Sequence, residues 1–163
     1  MTVDPQLAQF FLKRARRDLL ERYRPQVREC VCSLTEEQIW WRPNEASNSI
    51  GNLVLHITGQ IGQWLLASFN RTEFTRNRAQ EFAERGPIPI STLLVRFDST
   101  IEEAGVVLAR LTPEELAGSH VIFGKTVSGL EAVFHSVSHF ALHYGQIAYI
   151  TKWLTGRDLG FRL

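Results

Sequence analysis

The sequence predicts an all-α protein organised as a four-helix bundle with one short β-hairpin before the last helix. Three observations carry that expectation. Apolar residues recur at helical spacing through four long windows. Ser/Thr-x-x-Glu signatures at Ser33, Thr112 and Ser128 mark helix starts. Only His120 to Val127 has β-type residues on both sides of a turn, Gly124-Lys125, and it reads as a hairpin. With 163 residues, 44 % of them hydrophobic, the chain is long enough for one domain over residues 1–163 with its own core.

The first long helix starts at Asp4-Pro5, an N-cap followed by proline at the first helical position, and runs to about Val31. Leu7, Phe10, Phe11, Ala15, Leu19 and Tyr23 are its expected core face. Pro25 should kink it or end it near Arg24. Ser33-Leu-Thr-Glu36 then caps a short helix leading to Trp40-Trp41-Arg42-Pro43. A polar loop, Asn44 to Asn48, precedes the second long helix, from about Ser49 to Phe69, with Asn48 or Ser49 as its cap.

Residues 70–89 form a long connection, which is uncommon in compact domains and often functional. Fully extended it could reach ~60 Å, so the third helix need not run antiparallel to the second. Ser91 is expected to cap that third helix, which ends near Leu111. Thr112-Pro-Glu-Glu115 opens a short helix, and Ser128-Gly-Leu-Glu131 opens the fourth long one, which continues to about Leu154 with Gly156 as its terminator.

Composition narrows the function classes. Eighteen basic and 17 acidic side chains leave a net charge of +1, which gives no general attraction to nucleic acid or anionic lipid. The cluster Lys13-Arg14-Ala-Arg16-Arg17 reads as a solvated helix face. No segment approaches ~18 uninterrupted apolar residues, so no membrane span is expected. The N-terminus lacks the pattern of a secretory signal, which points to a cytoplasmic protein. Cys30 and Cys32 read as two buried, reduced thiols.

The chemistry concentrates in histidines. His135, His139 and His143 follow one another at four-residue steps in an apolar run, so on a helix they share one face, each pair ~6 Å apart along the axis. His56 lies in the apolar start of the second helix. Imidazole is costly to place in a core unless something uses its nitrogens, and a divalent metal is the simplest such user. The plain alternative is hydrogen bonding to water, Ser136, Ser138 and Thr58 in a wet bundle core. If the second and fourth helices are antiparallel, His56 levels with His139 and His143; if parallel, His135 fits better. The long crossover favours the second and third helices parallel and the fourth antiparallel to both, which selects His139 and His143.

These residues carry a family likeness. His139-Phe-Ala-Leu-His143-Tyr-Gly-Gln146 and Leu55-His56 after Asn48-Ser-Ile-Gly-Asn-Leu53 resemble the DinB/YfiT-like superfamily of metalloenzymes. Trp41-Arg-Pro-Asn44 and Arg78-Ala-Gln-Glu81-Phe82-Ala-Glu-Arg85 resemble an uncharacterised bacterial branch of it, and the likeness spans nearly the whole chain. Gln60 departs from the pattern, which has Asn there. The resemblance implies a bundle with parallel second and third helices, a divalent ion on His56, His139 and His143, His135 outside the ligand set, and a homodimer. It names no reaction; better-known relatives are thiol-dependent transferases and isomerases.

Three protein nitrogens leave a coordination position open, as in catalytic sites. Imidazole ligation suits zinc, nickel, iron or copper alike, with zinc or nickel the leading expectation, and the resemblance implies a low-molecular-weight thiol as cosubstrate. Gln146, one turn beyond His143, is a candidate to orient a nucleophile or an imidazole. His135, Tyr144, Trp41, Arg78 and Glu81 are expected around the site or its pocket, and Arg76, Arg78, Glu81 and Arg85 either line an entrance and hold an acidic substrate or tie the linker down with salt bridges. The leading expectation is an S-transferase or hydrolase acting on a small molecule. The competing one is a non-catalytic dimeric, stress-associated binding or scaffold bundle with a structural or vestigial metal site. A homodimer on helix surfaces is expected, with Phe69, Trp153 and Leu154 as candidate contacts.

Overall fold

The computed structural model describes residues 2–72 and 74–161. The first long helix comprises α1 (Pro5–Arg17), a π-helical segment (Asp18–Tyr23) and α2 (Arg24–Cys32). Asp4 caps it, accepting from the Leu7 amide at 2.9 Å. Pro25 does not end it. Proline has no N–H to give, and the wider turn before it, in which the Arg24 amide reaches back to the Leu19 carbonyl, absorbs the missing bond. The buried stripe is Ala8, Leu12, Ala15, Leu19 and Tyr23; Leu7 and Phe10, expected inside, are 62 % and 70 % exposed. Both stripes share Ala15, Leu19 and Tyr23, and packing against the rest of the bundle selects the one that continues through Ala8 and Leu12.

Helix α3 (Glu36–Trp40) starts one turn-fraction later than the Ser33 signature predicts, because Thr35 and Gln38 form the reciprocal cap. Ser33 instead donates to the Cys30 carbonyl at the end of α2. The second long helix is α4 (Ile50–Ile61), a π-helical segment (Gly62–Ala67) and α5 (Ser68–Asn70), capped by Ser49 with Asn52 reciprocating. The linker holds a short helix not anticipated from its irregular pattern, α6 (Arg78–Ala83), capped by Asn77. The third long helix is α7 (Ile90–Arg110); Pro89 occupies the cap position, so Ser91 falls inside the first turn rather than capping it.

Thr112 and Glu115 cap α8 (Pro113–Ala117) as their spacing predicts. Strands β1 (Ser119–Ile122) and β2 (Lys125–Ser128) pair antiparallel, Ser119 opposite Ser128 and Ile122 opposite Lys125. The turn is Phe123-Gly124, one residue earlier than expected, with both residues at positive φ as a tight two-residue hairpin turn requires. Helix α9 (Gly129–Thr155) begins at the Ser128–Glu131 box and ends at left-handed Gly156.

Side-chain pairings fix the helix directions. The Arg110 guanidinium donates to the Phe69 carbonyl at 3.3 Å and to Asn70 Oδ1 at 2.6 Å, so the second and third long helices end side by side and run parallel. Across α4 and α9, Gln60 meets Ser136 while His56 meets His139, so those helices are antiparallel. The fold is thus an all-α bundle with a short hairpin. Its core centres on Phe97 against Phe140 and on Tyr23 stacked with Tyr144. Phe69 belongs to that core, packed on His120, and is not a surface residue; Leu154 is half-buried and Trp153 is exposed.

Cys30 is buried and Cys32 exposed, against the expectation that both are inside. Burial pushes the Cys30 thiol up to about 11. The Lys13 to Arg17 basic residues lie exposed on α1, as a solvated face should. No helix of the described residues is long and apolar enough to cross a membrane.

Candidate metal centre

Helix α4 presents His56 and helix α9 presents His139 and His143 at the same level of the bundle. The three are the residues that an antiparallel pairing selects, and their ligand nitrogens lie within 4.8 Å of one another. His56 Nε2 is 2.9 Å and His143 Nε2 is 3.0 Å from His139 Nε2. In a tetrahedral site with ~2.0–2.1 Å bonds, ligand nitrogens sit about 3.3 Å apart, so small shifts would seat an ion here.

The outer nitrogens decide what the inner ones offer. His56 Nδ1 is 2.9 Å from Glu81 Oε2. An Arg76 terminal nitrogen also lies 3.0 Å from that Nδ1, but its two hydrogens go to Glu81 Oε2 at 2.7 Å and to the His56 carbonyl at 3.2 Å. Nδ1 of His56 is therefore the donor to Glu81, which leaves Nε2 as a bare lone pair. His143 repeats the logic: Gln146 Oε1 lies 2.7 Å from its Nδ1, so its Nε2 is bare as well. His139 has one nitrogen facing both lone pairs and can give a hydrogen to only one of them. A neutral three-imidazole cluster thus leaves lone pairs converging without donors, and a cation satisfies them.

Electrostatics keeps the cluster in the ligating form. Burial pulls His139 down to about 3, helped by His143 and His56 beside it. Burial also lowers His143, against its hydrogen bond to Gln146 Oε1, which favours the charged form. Metal ligation needs neutral imidazole, which these shifts supply at pH 7. Burial alone would raise Glu81, but hydrogen bonds from His56 and Arg76 overcome it and hold the carboxyl below its ordinary value. The Arg76 pairing is two-pronged, its Nε donating to Glu81 Oε1 at 2.6 Å.

The linker is held on α4 by groups the sequence reading did not single out. Asn52 Nδ2 donates to the Glu81 and Glu84 carbonyls, both at 2.9 Å. Phe82 lies on the His56 ring at 4.6 Å between centroids, and Arg78 lies over Phe82 at 4.9 Å. The signal for Asn52 was present as the reciprocal cap with Ser49; that for Phe82 was the apolar residue inside a charged linker.

The remaining expected residues scatter. His135 sits between Trp64, at 3.9 Å, and His139, at 5.1 Å, as a stacked ring beside the cluster. Tyr144 points into the core against Tyr23, on the far side of the helix from the histidines. Trp41 lines a different cleft with Glu36, Glu37 and Arg85. Arg85 donates to the Phe82 and Glu84 carbonyls and so helps to close the linker on itself.

Solved structures share this architecture. A DinB-like protein from Bacillus subtilis is 19 % identical over 92 % of this chain and 96 % of its own, with a TM-score of 0.68. One from Bacillus cereus is 15 % identical over 88 % and 92 %, with a TM-score of 0.65. A conserved protein from Enterococcus faecalis is 16 % identical over 96 % and 99 %, with a TM-score of 0.69. No curated protein matches the sequence. Those structures share this chain's fold, and the profile of one family, described as a protein of unknown function (DUF1572), matches residues 6–161, so the chain belongs to the DUF1572 family.

Proposed function

We propose that the chain is a divalent-metal-dependent enzyme that holds one zinc or nickel ion on His56, His139 and His143. Its reaction is S-transfer with a low-molecular-weight thiol, or hydrolysis, on a small molecule. The observation that carries this reading is the convergence of Nε2 lone pairs whose tautomers Glu81 and Gln146 fix from behind. Such an ion would lower the pKa of a bound water or thiol, to ~7 for zinc-bound water in a favourable site.

The chain's own groups have separate tasks. Glu81 orients His56 and is itself neutralised by Arg76, so the buried carboxylate adds no net charge. Gln146 orients His143 and holds no proton of its own. His135 is a packing neighbour outside the ligand set. His139 is only partly covered, so the cluster is not fully enclosed at that residue.

A homodimer through α9 is part of the same proposal. Between Glu131 and Lys152 that helix carries no Asp, Glu, Lys or Arg. Phe134, Leu142, Tyr149 and Trp153 are nonetheless exposed along it. Sedimentation that shows only an ~18.6 kDa species at micromolar concentration removes this part.

The test of the site is elemental analysis of protein purified without a His-tag. One equivalent of metal in the wild type, and none in the folded H56A/H139A/H143A variant, is the expected result. Metal retained by that variant overturns the assignment. Loaded protein is then screened for metal-dependent turnover of electrophiles with several thiols, and of simple amides and esters. Tight metal without turnover across that panel moves the reading to a scaffold.

A further inference from the structure

We infer that Arg78 is the anchor for a negatively charged group, a carboxylate or phosphate, on the small molecule that approaches the three-histidine cluster. The inference rests on the metal reading above and adds the substrate's charge to it.

The structure gives three of the linker arginines different work. Arg76 is buried, 4 % exposed at its side chain, and is committed to both oxygens of Glu81. Arg85 is committed to backbone carbonyls of its own segment. Arg78 is exposed, and among the described residues no carboxylate pairs with it. Its guanidinium rests over the Phe82 ring at 4.9 Å, and that ring rests on His56. Among the described residues no hydrogen bond takes up its side-chain N–H donors, so they are open to a carboxylate or phosphate, which a guanidinium can receive two-pronged. The stack also fixes a flexible side chain in place, so less freedom is lost when a ligand arrives.

Charge balance points the same way. Glu81 and Arg76 cancel. Glu84, the other described acid of the linker, accepts from the Arg85 and Gly86 amides. The imidazoles are neutral. Arg78 and a divalent ion would together add positive charge beside the cluster that the Glu81–Arg76 pair does not offset. A ligand with one donor toward the histidines and an anionic group beside Phe82 meets both.

The test uses tag-free protein loaded with cobalt(II). Thiol binding is followed by thiolate-to-cobalt charge-transfer absorption, which needs no turnover. The probes are 2-mercaptoethanol and a series of thiol carboxylates from mercaptoacetate to 4-mercaptobutyrate. The expected result is at least about tenfold tighter binding of the best carboxylate than of mercaptoethanol. R78Q should bring that ratio to within twofold and leave mercaptoethanol unchanged, while R78K retains part of it. Equal affinities in the wild type, or a preference that survives R78Q, overturns the anchor and leaves the metal reading intact. Failure to take up cobalt overturns the metal reading, and the anchor with it.

Discussion

Two polar clusters sit in this bundle, one on each side, and they are built on opposite principles. Between α2 and α7, Asp98 accepts from Arg24 Nε at 2.8 Å and from Arg28, while a second Arg24 nitrogen reaches Glu102 at 2.8 Å. Donors there meet acceptors, two cations meet two anions, and nothing is left over. Between α4 and α9 the outer layer is equally complete, with Arg76 on Glu81 and Glu81 on His56. The inner layer is not: three Nε2 atoms face one another with at most one hydrogen among them. A self-satisfied cluster ties helices together. A cluster that is complete outside and deficient inside is arranged for something that comes from solution.

Metal content should separate the two clusters most sharply. Saturating zinc at ~100 times its Kd stabilises the fold by about 2.7 kcal/mol. For a chain of this size that corresponds to a rise in Tm of about 5–10 °C. The rise should be absent in H56A/H139A/H143A and undiminished in D98N. Thermal melts with and without zinc check it, and a rise retained by the triple variant breaks the comparison.

E81Q probes the outer layer of the histidine cluster. Its loss frees the His56 ring and leaves Arg76 without its anion, so metal affinity should fall about 10–100-fold. Competition against a chromogenic chelator measures this, and an unchanged affinity would mean that His56 is held by packing on Phe82 alone. D98N probes the closed cluster. Asp98 is mostly covered but its partners reach solvent, so the expected cost is about 1–2 kcal/mol in urea unfolding, with metal stoichiometry still one.

The smallest effect is a pH dependence outside both clusters. Amide and hydroxyl hydrogen bonds from Ser128 hold the exposed Glu131 carboxyl below its ordinary 4.5. Its contribution to stability is complete above pH 4.5 and is lost as pH falls through the lower folded value. E131Q should flatten the stability profile in that acid range and leave neutral-pH metal uptake unchanged. An identical acid limb in both proteins removes the cap from the account.

Much of this was written locally in the chain. The Thr112 and Ser128 boxes, Gly156 and the four-residue histidine steps each depend on residues within a turn or two of one another, so periodicity and capping chemistry expose them. The pairing of His56 with His139 and His143 followed from one topological inference, the long crossover. What stayed hidden depends on distant partners. Leu7 and Phe10 looked internal because their spacing is helical, yet only the facing helices decide which of two overlapping stripes is covered. The turn before Pro25 widens, a response to a missing donor that periodicity does not register. Phe82 and Asn52 act on the site from a one-turn linker helix and a cap position, where one-dimensional patterns carry little information.

Gly59, three residues after His56 on α4, has a wider consequence. The Glu81 carboxylate and the Arg76 guanidinium lie directly against its Cα, in the space a methyl group would fill. Glycine inside a helix costs about 1 kcal/mol relative to alanine, so folding on its own would favour a side chain here. The position therefore sets two selective pressures against each other. A lineage that gained helix stability by filling it would dislodge the carboxylate behind His56 and loosen the metal site. One that kept the site would carry a weaker helix. The bundle's durability and its chemistry are in this sense competing traits, traded at a residue that touches no substrate and ligates no ion.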